Sequence, residues 1–122
     1  MASLNIAYEA PDNSGGSNLS ARRPIDLAHL SSQTMGDKAL ECEILRLFAR
    51  QLRQSMRDIS QGEPASVIDA AHRLTGSARA VGAFGVAEAA RQIEEKGLDA
   101  GRLAALHAAV VDVENFIQGL AR

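Results

Sequence analysis

The sequence predicts an all-α protein: an antiparallel up-down four-helix bundle with a short N-terminal helix and a flexible N-terminal tail. Three observations predict it. Four stretches repeat apolar residues at spacings of three and four, which gathers them on one face of a helix. The links between these stretches are short and built from Gly, Pro and Asp, residues that stop one helix and start the next. No stretch alternates apolar and polar residues as a half-buried strand does. Helices of this length on short links fold back as antiparallel neighbours.

Residues 1–23 are rich in Asn, Ser, Gly and Pro, with Pro11-Asp12-Asn13-Ser14-Gly15-Gly16 at their centre and no period. They read as a tail, and residues 24–122 as the bundle domain. Asp26 is placed to cap a short helix holding Leu27 and Leu30, and Met35-Gly36-Asp37 breaks it. From Lys38 to about residue 60, Leu40, Ile44, Leu47, Phe48, Leu52, Met56 and Ile59 form the expected inner stripe of the first long helix. Arg46, Arg50, Arg53 and Arg57 fall outside that stripe and read as a solvated face that could also meet an acidic partner. Gln61-Gly62-Glu63-Pro64 ends this helix, and Pro64 suits the first position of the next. That helix runs to about Val81 with Val67, Ile68, Ala71, Leu74, Ala78 and Val81 on one stripe. Gly82-Ala83-Phe84-Gly85 is a tight turn, after which Val86, Ala89, Ala90 and Ile93 mark a further helical face. Gly97-Leu98-Asp99 closes it, with Asp99 as a cap for the last helix. There Leu103, Leu106, Val110, Val113, Ile117 and Leu120 step by three and four, as a bundle seam does.

At 122 residues the chain holds one domain and has no room for a nucleotide-binding module beside it. A net charge of −2 and 3% aromatic residues give neither a basic footprint nor a stacking platform, so no nucleic-acid partner is expected. The lone Cys42 has no disulfide or metal-cluster partner and is expected to be buried or half-buried. The first residues lack the basic and apolar segments of a signal peptide, and no run approaches the ~20 apolar residues of a membrane span. The expectation is a cytoplasmic protein with no membrane contact.

His72 stands out among the three histidines. It lies roughly 110° from the centre of its helix's apolar stripe, so it looks outward. Gly76, Ala65 and Ala83 on the same flank are small and leave a low wall around it, and Arg79 returns to nearly the same angle two turns later. With the turn centred near Ala83, His72 lies eleven residues before it and Glu94 eleven after, so equal rise sets the two at one level, to within a residue of Glu94. A carboxylate opposite an imidazole holds the ring in one tautomer and leaves its other nitrogen basic. His29 and His107 have no such setting and read as packing or surface residues. Asp26-x-x-His29 and Asp69-x-x-His72 have a metal-site spacing but lack the inward geometry, so no metal site is expected.

His72-Arg73-Leu74-Thr75-Gly76-Ser77-Ala78, followed by Gly82-Ala83 and Ile93-Glu94, resembles the histidine-containing phosphotransfer (HPt) domains. Their pattern is Ala-His-x-Leu-Lys-Gly-Ser, then a Leu-Gly pair, then Leu-Glu closing the next helix. The similarity takes in Asp26, Leu45-x-x-Phe48 and the Gly62 turn, and spans about residues 24–97; the last helix matches only as a generic bundle helix. The resemblance implies that His72 is the phosphorylated histidine, that Gly76 lets a partner approach, and that Glu94 orients the ring. The family's lysine three positions after the histidine is Thr75 here. Thr75 is itself a candidate site residue that can donate one hydrogen bond to the phosphoryl group but brings no charge, so Arg79 is the better substitute cation, ahead of Arg73 at about 100° from His72. Arg73, Gly76 and Ala83 are the expected docking residues.

The implied function is that of a phosphorelay intermediate in two-component signalling. His72 takes a phosphoryl group from a receiver-domain aspartyl phosphate and hands it to another receiver. The implied partners are response-regulator receiver domains and a hybrid or sensor histidine kinase. The chain would be a monomeric phosphoryl carrier with no kinase or ATP-binding domain and no cofactor of its own, the magnesium being the receiver's. The alternative is a non-catalytic helical adaptor, a degenerate relative that binds a receiver or kinase.

Overall fold

Five helices follow one another in the computed structural model, which describes residues 23–120: α1 (Leu27–Thr34), α2 (Lys38–Gln61), α3 (Pro64–Val81), α4 (Phe84–Lys96) and α5 (Ala100–Leu120). The tail expected over residues 1–23 lies, apart from Arg23, outside the described residues. None of the described helices is long and apolar enough to cross a membrane.

Local chemistry sets the boundaries. The Asp26 carboxylate accepts from the His29 N–H and the Asp37 carboxylate from that of Leu40, so each caps a helix by satisfying an orphan donor of its first turn. Asp99 caps α5 in the same way, accepting from the Arg102 N–H at 2.7 Å. Met35 and Gly36 turn the chain between α1 and α2 with positive φ. Pro64 opens α3, where a missing N–H costs nothing, and Gly82 closes it in the left-handed region at φ +88°.

The long helices form a ring. α2 packs on α3, α3 on α4, α4 on α5 and α5 on α2, with no close approach of diagonal backbones among the described residues, while α1 lies across α2 and α3. The α3–α4 pair makes the most extensive contact, and its composition explains why. Ala70, Ala71 and Ala78 of α3 and Ala87 and Ala90 of α4 are all buried, so methyl groups alone separate the two backbones in places. Leu52, Ile59, Leu74, Val86, Ile93, Leu106 and Val113 fill the centre, each with less than 2% of its surface exposed. Removing such a side chain from water is worth roughly 1.5–3 kcal/mol.

Two stripes differ from the expected ones. On α2 the buried line is Glu41, Leu45, Phe48, Leu52, Ser55 and Ile59, while Leu40 and Leu47 are 45% and 51% exposed. Two polar residues occupy seam positions. The Glu41 carboxylate is held there by the Thr34 hydroxyl at 3.1 Å and Lys38 at 3.5 Å. On α5 only Leu106, Val110 and Val113 are fully inside, and Leu120 is exposed at the rim of a shallow pocket that it shares with Cys42, Leu45 and Arg46 of α2. Cys42, expected to be at least half-buried, is exposed, one position beyond the buried Glu41. His29 is half-buried and packs edge-on against Phe84 with ring centroids 5.3 Å apart.

Candidate functional site around His72

The close approach of α3 and α4 builds the site. His72 and Glu94 stand on facing flanks of the two helices, and the alanine-lined contact brings His72 Nδ1 and Glu94 Oε2 to 2.6 Å. An ionised carboxylate only accepts hydrogen bonds, so a neutral imidazole here carries its proton on Nδ1 and presents the Nε2 lone pair outward. The His72 side chain is 74% exposed and that of Glu94 28%, so the contact fixes the ring without hiding its reactive edge.

Gly76 lies one turn on and is exposed; a Cβ built there meets no atom within 4 Å. A glycine inside a helix costs about 1 kcal/mol relative to alanine. Internal packing gives no reason for it, so the flat patch beside His72 is open to contact from outside the chain. Arg73 is exposed on the α2-facing side of the same surface. Arg79 is exposed, lies about 10 Å along the axis from His72, and as a helical side chain leans back toward the N-terminus.

Two expected site residues are placed elsewhere. Thr75 is buried, and its hydroxyl donates to the Ala71 carbonyl at 2.8 Å, so it lies beneath the His72 surface and offers nothing to a group on the ring. Ala83 has no exposed surface. It lies beyond the Gly82 turn, where the chain has left the α3 axis, and faces the core as the residue before α4. It is therefore not a docking residue.

Sequence reasoning missed a groove of about 260 Å³ between α2 and α3. Ile44, Leu47 and Phe48 form one wall and Ala80 and Val81 the other, with Gln51 donating to the Ser77 hydroxyl at 2.7 Å between them. The signal was Leu47, an apolar residue one step off the buried line of α2.

Residues 43–122 match the family model for the Hpt domain. The chain belongs to the Hpt domain family. Membership places it in histidine phosphotransfer of two-component signalling, where Hpt domains meet receiver domains and kinases. The match starts inside α2 and runs through α5, so it includes the last helix and leaves α1 outside. No curated protein and no solved structure gives a significant match.

The charges around the histidine of this Hpt domain are arranged in order. On the outer face of α4, Arg91 bonds Glu88 at 2.6 Å and Glu95 at 2.7 Å. The Arg91 guanidinium, aided by the Gln92 amide, holds the Glu88 carboxyl down to about 2, and the two carboxylates push the Arg91 pKa up. The charge of Arg79 adds to the lowering at Glu88, yet Arg79 makes no ion pair within 4 Å among the described residues. Arg79 is thus an exposed cation on the His72 flank of α3, about 10 Å along the axis and within electrostatic reach of Glu88.

Proposed function

We propose that this Hpt domain is a phosphorelay intermediate that accepts a phosphoryl group on His72 from a receiver-domain aspartyl phosphate and passes it to another receiver. The observation that carries this reading is the 2.6 Å contact of Nδ1 with Glu94 on a ring that is otherwise exposed. The Nε2 lone pair attacks phosphorus while the P–O bond to the aspartyl carboxyl breaks and that carboxylate leaves on the receiver. The new P–N bond puts positive charge on a ring whose Nδ1–H is retained, and Glu94 offsets that charge. The reverse steps deliver the group to a second receiver. Positioning and electrostatics do the work, and the receiver brings its own metal. The α2–α3 groove and the flat surface at Gly76 support docking of a partner over the outer face of α3.

The test is transfer from a labelled phospho-receiver to the full chain, with the label acid-labile and alkali-stable as a phosphohistidine is. No label from several competent donors would favour the adaptor, a reading to which the inward-turned Thr75 hydroxyl lends weight.

Glu94 is a positioning residue in this scheme. Glu94→Ala is expected to slow acceptance about tenfold, in the range typical for losing a group that orients an imidazole. Glu94→Gln, whose amide oxygen still accepts from Nδ1–H, should recover most of the rate in a single-turnover assay. Equal loss in both variants would remove the orienting role. Arg79→Ala is expected to slow transfer by a further, separate factor of about ten, or ~1.4 kcal/mol at the transition state, with an unchanged melting curve. An unchanged rate would remove Arg79 from the site.

A further inference from the structure

α2 and α5 are neighbours in the ring but touch far less than α3 and α4 do. Between the C-terminal half of α2 and the N-terminal half of α5 lies an open groove of about 490 Å³. Met56 and Arg57 form one side, and Ala100, Leu103, Ala104 and His107 the other. The groove exists because Ala100 and Ala104, one turn apart, offer only methyl groups toward α2, so no side chain of α5 fills the space. Along the rim of α2 run Arg46, Arg50, Arg53 and Arg57, all exposed, at spacings of four, three and four. Arg46 is paired with Glu43 at 3.2 Å and Arg53 with Glu114 at 3.5 Å, both contacts being substantially solvated. Arg57 donates to the neutral Gln54, which in turn reaches Asp58, and Arg50 has no partner among the described residues. Four arginines against the three carboxylates of Glu43, Glu114 and Asp58 leave this rim at +1 in a chain whose net charge is −2.

We propose that this groove docks one acidic amphipathic helix of a partner protein. Its apolar stripe would lie on Met56, Leu103 and the two alanines, with a row of carboxylates along the arginines. Charge complementarity selects the acidic partner. The arginine spacing selects a helix, because carboxylates repeating at three and four keep step with arginines that do the same. The ring order puts the α2–α5 face on the opposite side of the bundle from the α3–α4 face that carries His72. A partner held in the groove therefore leaves His72 open, and the domain can be tethered to one protein while it meets another. This inference does not depend on phosphotransfer at His72.

The probe is a synthetic helical peptide of about 18 residues, with leucines at the three–four repeat and glutamates along one flank. It is titrated into the full chain with methyl-labelled alanine, leucine and methionine, and followed by NMR. We expect the Ala100, Leu103, Ala104 and Met56 methyls to shift, while the Leu47 and Ala80 methyls of the α2–α3 groove do not. Replacing the peptide's glutamates by glutamine, or combining Arg50→Glu with Arg57→Glu, should each weaken binding by about tenfold, and added salt should weaken it too. Both arginines are exposed, so the double variant should melt as the parent does. No shift at millimolar peptide, shifts centred on Leu47, or an affinity indifferent to the double variant would overturn the proposal. So would a light-scattering mass showing that a second copy occupies the face. Groove methyls that move on Leu4→Asp with Tyr8→Asp would overturn it in favour of the chain's own N-terminal segment.

Discussion

Replacing His72 with alanine is expected to abolish acceptance of a phosphoryl group, by at least about a thousandfold, while the bundle stays folded. The side chain is 74% exposed and its one polar partner is a surface carboxylate, so its loss leaves no cavity and no buried unsatisfied group. Alanine is also the better helix former at this position. No other histidine stands in: His29 is half-buried against Phe84, and His107 faces the α2–α5 groove on the far side of the bundle. Labelled phospho-receiver mixed with wild type and variant, beside a melting curve for each, gives the comparison. Label that survives in a folded His72→Ala protein would end the assignment of Nε2 as acceptor. A variant that failed to fold would contradict the reading of His72 as a surface group, and His72→Gln would then carry the chemical test.

The pairing behind that prediction was legible because a tight turn between two straight helices makes counting equivalent to measuring. Eleven residues either side of Ala83 have the same rise, and Glu94 is found opposite His72. The same arithmetic misplaced Ala83 itself. Angular position is defined only while the helix continues, and Gly82 ends α3 with φ +88°, so the next residue no longer belongs to the His72 flank. Thr75 was misread for a different reason. It lies between the exposed flank and the core, and which side it joins depends on how close α4 comes. The buried alanines let α4 come close enough to cover it, and its hydroxyl then turns back to the Ala71 carbonyl. On α2, Glu41 and Ser55 hold buried seam positions while Leu40 and Leu47 stand outside. A hydrophobicity pattern assigns such a helix the wrong inner line, and tertiary partners such as Thr34 for Glu41 are not visible in it. Leu47, left outside the buried line, was the trace of the α2–α3 groove, a surface feature that periodicity treats as core.

Gly82→Ala is expected to destabilise the domain by about 2–4 kcal/mol, a shift in melting temperature of roughly 10–25 °C for a domain of this size. Gly82 ends α3 in the left-handed region, and its N–H bonds back to the Ala78 and Arg79 carbonyls. That conformation costs a residue with a Cβ about 1–2 kcal/mol. A Cβ there would also lie 2.8 Å from the Asp26 carbonyl oxygen and 3.3 Å from its nitrogen. Both are backbone atoms that cannot swing aside, and the Asp26 N–H donates to the Gly82 carbonyl at 2.9 Å. Relieving the clash therefore means parting the start of α1 from the α3–α4 turn and losing a hydrogen bond worth about 1 kcal/mol. Gly76→Ala is the control. That position is helical and open, so the substitution should be neutral or stabilising by up to about 1 kcal/mol. Thermal or urea melts of the two variants beside the parent decide the matter, and a Gly82→Ala midpoint within about 2 °C of the parent would show that the turn tolerates a Cβ. Because this turn sets the register that faces Glu94 with His72, the damage should appear as a smaller folded fraction. Each molecule that still folds has its imidazole and carboxylate in place, and transfer per folded molecule should be close to that of the parent.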